Sequence, residues 1–256
     1  MIDIKNIIKE YPKPQQAFKR RILREYFQYK ILDLIYQSKH SDKLAFLGGT
    51  ALKIIYGNPR FSEDLDFNNL KITPEEFNSL TQSVKKGLEK EGYKTEIRNV
   101  FKGTCRSYFR ILNVLSELNL SEHKDEKIMI QIDTAPHNFN YVPENHLLQK
   151  FEVYRWIKAV PIDIILSQKI AAILERKRVK GRDFFDVVFL FSKTEPNYQY
   201  LDLKLGIKNK SQVKKALSKT AEKLDFRSLA DDVEPFLFDP GQKDRIIYFE
   251  KFVEKL

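Results

Sequence analysis

Leu44-Ala45-Phe46-Leu47-Gly48-Gly49-Thr50-Ala51-Leu52-Lys53-Ile54-Ile55-Tyr56 opens on four apolar residues, meets a glycine pair and continues as a short helix. Gly57-Asn58-Pro59 stops that helix. After a loop over Arg60-Phe61-Ser62-Glu63, the run Asp64-Leu65-Asp66-Phe67 alternates polar with apolar residues as a half-buried strand does. The order is strand, tight turn, short helix, turn, strand, and the rest of the chain is read outward from it.

Upstream, residues 14–39 repeat apolar side chains at helical spacing (Leu23, Phe27, Ile31, Leu34, Ile35) between basic positions, which predicts an N-terminal amphipathic helix. Downstream, Thr73-Pro74-Glu75-Glu76 combines an N-cap hydroxyl, a proline at the first helical position and a capping-box glutamate, so a helix runs from there to Gly92. Strand-like segments follow near 93–100, 107–114 and 127–133. The remainder reads as mostly helical: 163–180, 183–192, 211–224, and a terminal helix opened by Asp239-Pro240. The fold class expected is α+β (or α/β). Residues 1–150 would form a small mixed-sheet core with the N-terminal helix, and residues 151–256 a helical lobe.

The bulk of the chain sets limits on this. With 256 residues and 42% hydrophobic content it can bury a sizeable core. Residues 1–10 mix charges with isoleucines and lack the layout of a secretory signal. No apolar run approaches the roughly 20 residues of a membrane-spanning helix, so a cytoplasmic protein is expected. Cys105 is the only cysteine, which excludes an intramolecular disulfide and a cysteine-based zinc site; the four histidines are scattered without ligand spacing. A net charge of +10 favours polyanions such as RNA, DNA or nucleoside triphosphates, though many lysine-rich proteins bind no nucleic acid.

Asp64 and Asp66 stand two apart on the expected strand, so both carboxylates leave the same face. Two like charges side by side are costly without a cation between them, and hard oxygen donors suit Mg²⁺ or Mn²⁺. A solvated strand edge would show the same pair. The glycine turn ahead of it adds weight, because Gly48 and Gly49 permit close backbone approach, the helix start offers N–H groups to a phosphate, and Thr50 adds a hydroxyl.

The combination resembles the nucleotidyltransferase superfamily related to DNA polymerase beta. More narrowly, 47–52 together with Arg60-Phe61-Ser62-Glu63-Asp64-Leu65-Asp66-Phe67 is similar to its AbiEii/AbiGii-type toxin branch, as are Lys169-Ile170-Ala171-Ala172 and the segment 176–186. The resemblance implies transfer of a nucleoside monophosphate from a nucleoside triphosphate, with Mg²⁺ or Mn²⁺, and a third carboxylate on a neighbouring strand. Asp133, closing the strand 128–133, is the candidate; a strand-end aspartate starting a turn would look alike. Metal ligands would then be Asp64, Asp66 and Asp133. The nucleotide would meet Gly48, Gly49, Thr50, Arg60, Ser62, Lys169 and Arg176, and the helical lobe would complete the active site.

Lys169, Ala172, Ile173 and Arg176 share one helix face, and a lysine rising from a buried stripe needs an anion, which a triphosphate would supply. A snorkelling lysine has the same spacing. By resemblance one of Asp183 and Asp186 belongs to the active site, and spacing does not choose between them; Arg182 and Asp186 at i, i+4 would also suit a simple ion pair. The basic run 176–182 and the lysines between 204 and 223 suit an RNA acceptor or a solvated face. The family further implies a toxin of a toxin–antitoxin or phage-defence system, with tRNA as a possible acceptor and a separately encoded antitoxin. Two rivals remain: a stand-alone enzyme modifying a small molecule or a protein, and a non-catalytic nucleotide- or RNA-binding protein.

Overall fold

The structure, a computed structural model, describes residues 3–256. Met1 and Ile2, at the start of the opening stretch read above, lie outside the described residues. The chain divides into two compact units. The first comprises the residues up to Ile55 together with Ser62–Ala159; the second comprises Tyr56–Phe61 and Val160–Leu256.

In the first unit, α1 (Ile4–Lys9) and α2 (Lys19–Gln37) precede β1 (Leu44–Leu47), α3 (Gly48–Tyr56), β2 (Leu65–Asn69) and α4 (Pro74–Lys90). There follow β3 (Thr95–Phe101), β4 (Cys105–Ile111), the single turn α5 (Val114–Glu117), β5 (Ile128–Pro136), β6 (Glu144–Lys150) and β7 (Val153–Ala159). Among the described residues seven strands form one sheet in the order β3-β4-β5-β2-β1-β7-β6. The pairs β2·β5 and β1·β7 are parallel and the rest antiparallel.

The alternation of side chains decides which face is buried. Along β5, Ile128, Ile130 and Ile132 point into the core while Met129, Gln131 and Asp133 point away; along β4, Phe109 and Ile111 are buried while Arg106, Tyr108 and Arg110 are not. The buried face meets α2 and α4. Contrary to the amphipathic expectation, α2 is enclosed on more than one side: Ile22, Leu23, Phe27, Ile31, Leu32 and Ile35 are fully buried, and Glu25 and Gln28 go in with them. Glu25 is matched by Lys150 at 2.8 Å, whose ammonium also lies 3.7 Å from the centre of the Tyr11 ring.

The start of α4 is as its sequence dictates. Glu76 N–H donates to the Thr73 hydroxyl and Thr73 N–H donates to the Glu76 carboxylate, a complete capping box.

Two differences from the sequence reading stand out in this unit. The hairpin β6–β7 was not expected; its two-residue turn, Phe151-Glu152, carries neither glycine nor asparagine, and Phe151 adopts a positive φ of 55°. Tertiary packing holds it there, with the Phe151 ring edge-on to Tyr26 and Tyr29, both at 5.3 Å. The unit therefore extends to Ala159 rather than ending at residue 150.

The second unit is helical: α6 (Ile162–Glu175), α7 (Gly181–Phe191), α8 (Tyr198–Leu205), α9 (Lys210–Ala221), α10 (Phe226–Val233), α11 (Asp244–Ile247) and α12 (Phe249–Glu254). Helix α6 stops five residues before the expected end, because Arg176 turns to extended backbone and 176–180 becomes a loop. Its core contains Phe184, which meets Phe226 and Phe249 edge-on at 5.5 and 4.8 Å.

Candidate active site

Strand register brings the carboxylates together. Asp66 on β2 is the cross-strand partner of Asp133 on β5, and because the two strands run parallel their side chains leave the same face, about 4.8 Å apart at the backbone. That face is the one turned away from α2 and α4. Asp64 lies one residue ahead of β2, and its carbonyl accepts the Thr50 hydroxyl at 2.5 Å.

The glycine turn is built around Asp66. Gly48 opens α3 with φ of +80°, a conformation that L side chains rarely adopt. A Cβ at this position would overlap Oδ2 of Asp66 and lie 3.0 Å from its Cβ and Cγ, so the carboxylate would have to shift. Glycine here is thus required twice, once by the backbone and once by the carboxylate beside it. Thr50 is 1% exposed and its hydroxyl is engaged with Asp64, so its role in this structure is to join the head of α3 to the acidic segment. From the other side, Gln28 of α2 donates to the Ser62 and Glu63 carbonyls at 3.0 and 2.9 Å and braces the loop that delivers Asp64.

Asp133 has partners of its own. Arg106, directly across on β4, donates from Nε to Oδ1 at 2.5 Å, and Gln131 donates to Oδ2 at 2.5 Å. The hydrogen bond from Arg106 to Asp133, helped by Tyr108, raises the guanidinium pKa further. Among the described residues no group of three His, Cys, Asp or Glu side chains is arranged to hold a metal ion. The donor chemistry at Asp66 and Asp133 nevertheless suits a hard divalent cation, since both are carboxylates in register on one face. What engages Asp133 instead is the contact with Arg106 and Gln131.

In the helical unit, the side chains read as triphosphate contacts meet internal anions. Asp186 is 0% exposed and Arg60 2%. Arg60 grips Asp186 with two parallel bonds, Nε to Oδ1 and Nη2 to Oδ2, each 2.7 Å, and Asn58 adds a third at 2.7 Å. Lys169 lies 2.8 Å from Asp186 and 2.9 Å from Asp183, and Arg176 pairs with the other Asp183 oxygen. Burial alone would raise the Asp186 pKa, but Arg60 and then Lys169 override it and hold the carboxyl well below its usual range. For Lys169 burial pulls the other way, and Asp183 and Asp186 outweigh it to raise its pKa. Arg60 is therefore occupied inside the helical unit, where it ties in the connector 56–61, and every oxygen of Asp183 and Asp186 is bonded to a cation. Arg182 does not pair with Asp186; its guanidinium lies 4.4 Å from the centre of the Phe236 ring.

The open face of the sheet has two flanks. Beyond Asp133 stand Arg106, Tyr108 and Arg110 on β4, with Met129 49% exposed on β5. On the far side, β7 presents Tyr154 and Trp156, 66% and 62% exposed. Arg106, Gln131 and Gln28 were missed by sequence reading, since nothing before strand pairing indicates that Arg106 meets a residue 27 positions later.

A glycine turn entering a short helix, an acidic strand beside it and a second acidic strand in register define a class: the chain is a nucleotidyltransferase. It belongs to the family described as nucleotidyl transferase AbiEii toxin, type IV TA system, whose sequence pattern matches residues 30–254. No curated protein matches the chain. Two solved structures from Helicobacter pylori share the fold. JHP933 superposes with a TM-score of 0.57 at 18% identity, over 92% of each chain. A candidate nucleotidyltransferase gives 0.58 at 19% identity, over 91% of this chain and 94% of that one. No helix of the described residues is long and apolar enough to cross a membrane.

Proposed function

We propose that this nucleotidyltransferase toxin moves a nucleoside monophosphate from a nucleoside triphosphate to an RNA acceptor, such as tRNA, with Mg²⁺ or Mn²⁺. The observation that carries the metal reading is the register of Asp66 with Asp133 beside a turn whose positive φ and close approach to Asp66 favour glycine. Asp66 and Asp133, with Asp64 next to them, would hold the cation. When bound, the cation supplies a Lewis acid for the phosphate being transferred. Gly48 and Gly49 let a phosphate approach the backbone at the head of α3. Asp133 takes the proton of the acceptor hydroxyl or completes the ligand set. Arg60, Asp183, Asp186, Lys169 and Arg176 hold the helical unit together, a positioning role.

The RNA reading is supported by the surface around the carboxylates: arginines and a tyrosine on one flank, an exposed tyrosine and tryptophan on the other, on a chain of net charge +10. Guanidinium groups pair with phosphates, and exposed rings stack on unpaired bases. The family's place in type IV toxin–antitoxin systems supports a separately encoded antitoxin as partner and a role in growth control or phage defence.

The test is incubation of the purified chain with each α-labelled nucleoside triphosphate, Mg²⁺ and total cellular RNA, beside the Asp64→Asn/Asp66→Asn double variant. Label is expected in RNA with the wild type alone. RNA left unlabelled with every triphosphate would move the acceptor to a protein or a small molecule, and absence of triphosphate consumption altogether would leave only a binding role.

A further inference from the structure

Arg106, Asp133 and Asp66 form a row across three adjacent strands. Arg106 on β4 is the register partner of Asp133 on β5, and Asp133 is the register partner of Asp66 on β2. The charges along this row read plus, minus, minus, all on the open face. Two neighbouring carboxylates repel unless a cation is shared between them, and in this row the Arg106 guanidinium is the cation in contact.

The protein contains a second Arg–Asp pair for comparison. Arg60 and Asp186 have side chains 2% and 0% exposed, so separating them would strand two charges away from water. Arg106 and Asp133 have side chains 41% and 23% exposed. A pair open to solvent to that degree is worth little net stability, because water replaces the partner when it parts. One pair is locked and the other releasable.

We propose that Arg106 is the resident counter-charge of Asp133 and competes with a divalent cation for that carboxylate, so that metal binding and release of the Arg106 guanidinium are one coupled event. The proposal rests on the reading of Asp133 as a metal ligand. A dication on Asp66 and Asp133 repels a guanidinium bonded to the same carboxylate, and the strength of that repulsion is greatest at such short range. Once released, the guanidinium projects from β4 on the open face as a forked donor that matches phosphate oxygens. Arg106 is then a positioning residue that presents its charge to an anion only when the metal is in place.

Mn²⁺ alone is the probe, with free Mn²⁺ followed by electron paramagnetic resonance in titrations of wild type, Arg106→Gln, Arg106→Lys and Asp133→Asn. Arg106→Gln is expected to bind Mn²⁺ roughly three- to tenfold more tightly than wild type, Arg106→Lys to fall between, and Asp133→Asn to bind more weakly. Thermal unfolding supplies a second readout: saturating Mn²⁺ is expected to raise the melting point of Arg106→Gln more than that of wild type. Unchanged or weaker Mn²⁺ affinity in Arg106→Gln, alongside weaker binding in Asp133→Asn, overturns the competition while leaving Asp133 a ligand. A melting deficit of the same size with and without Mn²⁺ makes Arg106 a structural brace and overturns it as well. Unchanged affinity in Asp133→Asn removes Asp133 from the metal site, and the inference falls with that reading.

Discussion

Asp186 and Asp66 were both singled out in the sequence as candidate site residues, yet their surroundings give them opposite sensitivities. Asp186 is sealed against Arg60, Lys169 and Asn58, so Asp186→Asn removes the anion that balances the buried Arg60 and helps balance Lys169. Unfolding in denaturant should show a loss of about 3–5 kcal/mol. The sign of the pH dependence follows from the depressed pKa. The stabilisation by Asp186 is present above the pKa of an unfolded aspartate, about 4, and is lost as pH falls toward the lower folded value. The stability gap between wild type and Asp186→Asn should therefore narrow on acidification below about pH 4. Asp66 is half-buried on the open face, and Asp66→Asn should leave the unfolding midpoint near wild type while abolishing nucleotide transfer. Gly48→Ala should do both kinds of damage. The positive φ costs about 1–2 kcal/mol of stability for an L residue, and the new methyl displaces Asp66, so kcat/KM for transfer should fall by at least about tenfold.

Among the elements, α3 and α4 are instructive because one serves the site and the other serves the fold. Thr50 ties the head of α3 to the Asp64 carbonyl, and Gln28 of α2 holds the preceding loop. Among the described residues helix α4 shows no such contact, and its capping box is a local device that satisfies backbone groups left open at a helix start. Thr73→Ala should lower stability by about 1 kcal/mol in thermal or chemical unfolding, with transfer activity per folded molecule unchanged. Loss of activity beyond loss of folded protein would show that α4 has a role at the site. Both helix starts were legible in sequence because glycine pairs and capping boxes are short-range signals. The hairpin β6–β7 was not. Strand β6 buries only Leu148, which blurs its alternation, and its turn depends on Phe151 being held at positive φ by rings from α2.

Across the whole molecule, 45 basic against 35 acidic residues should make any polyanion contact strongly salt-dependent. On the RNA-acceptor reading, fluorescence anisotropy with labelled tRNA should show affinity falling on the order of ten- to a hundredfold between about 50 and 200 mM salt. Affinity that stays level over that range would argue against a phosphate-backbone contact and for a small or neutral acceptor.

The sequence by itself determined the class of enzyme, the strand–glycine turn–helix order over residues 44–56, the strand that carries Asp66, and the helical character of the C-terminal half. All of these rest on spacings within about twenty residues, where periodicity and turn chemistry act directly on the chain. Which charge meets which was decided only by the tertiary structure. Arg60 reached Asp186 across 126 positions, Lys169 met Asp183 and Asp186, and Arg106 met Asp133 through strand register. Ion-pair energy depends on separation and on exclusion of water, and both quantities come into being only when distant segments pack together.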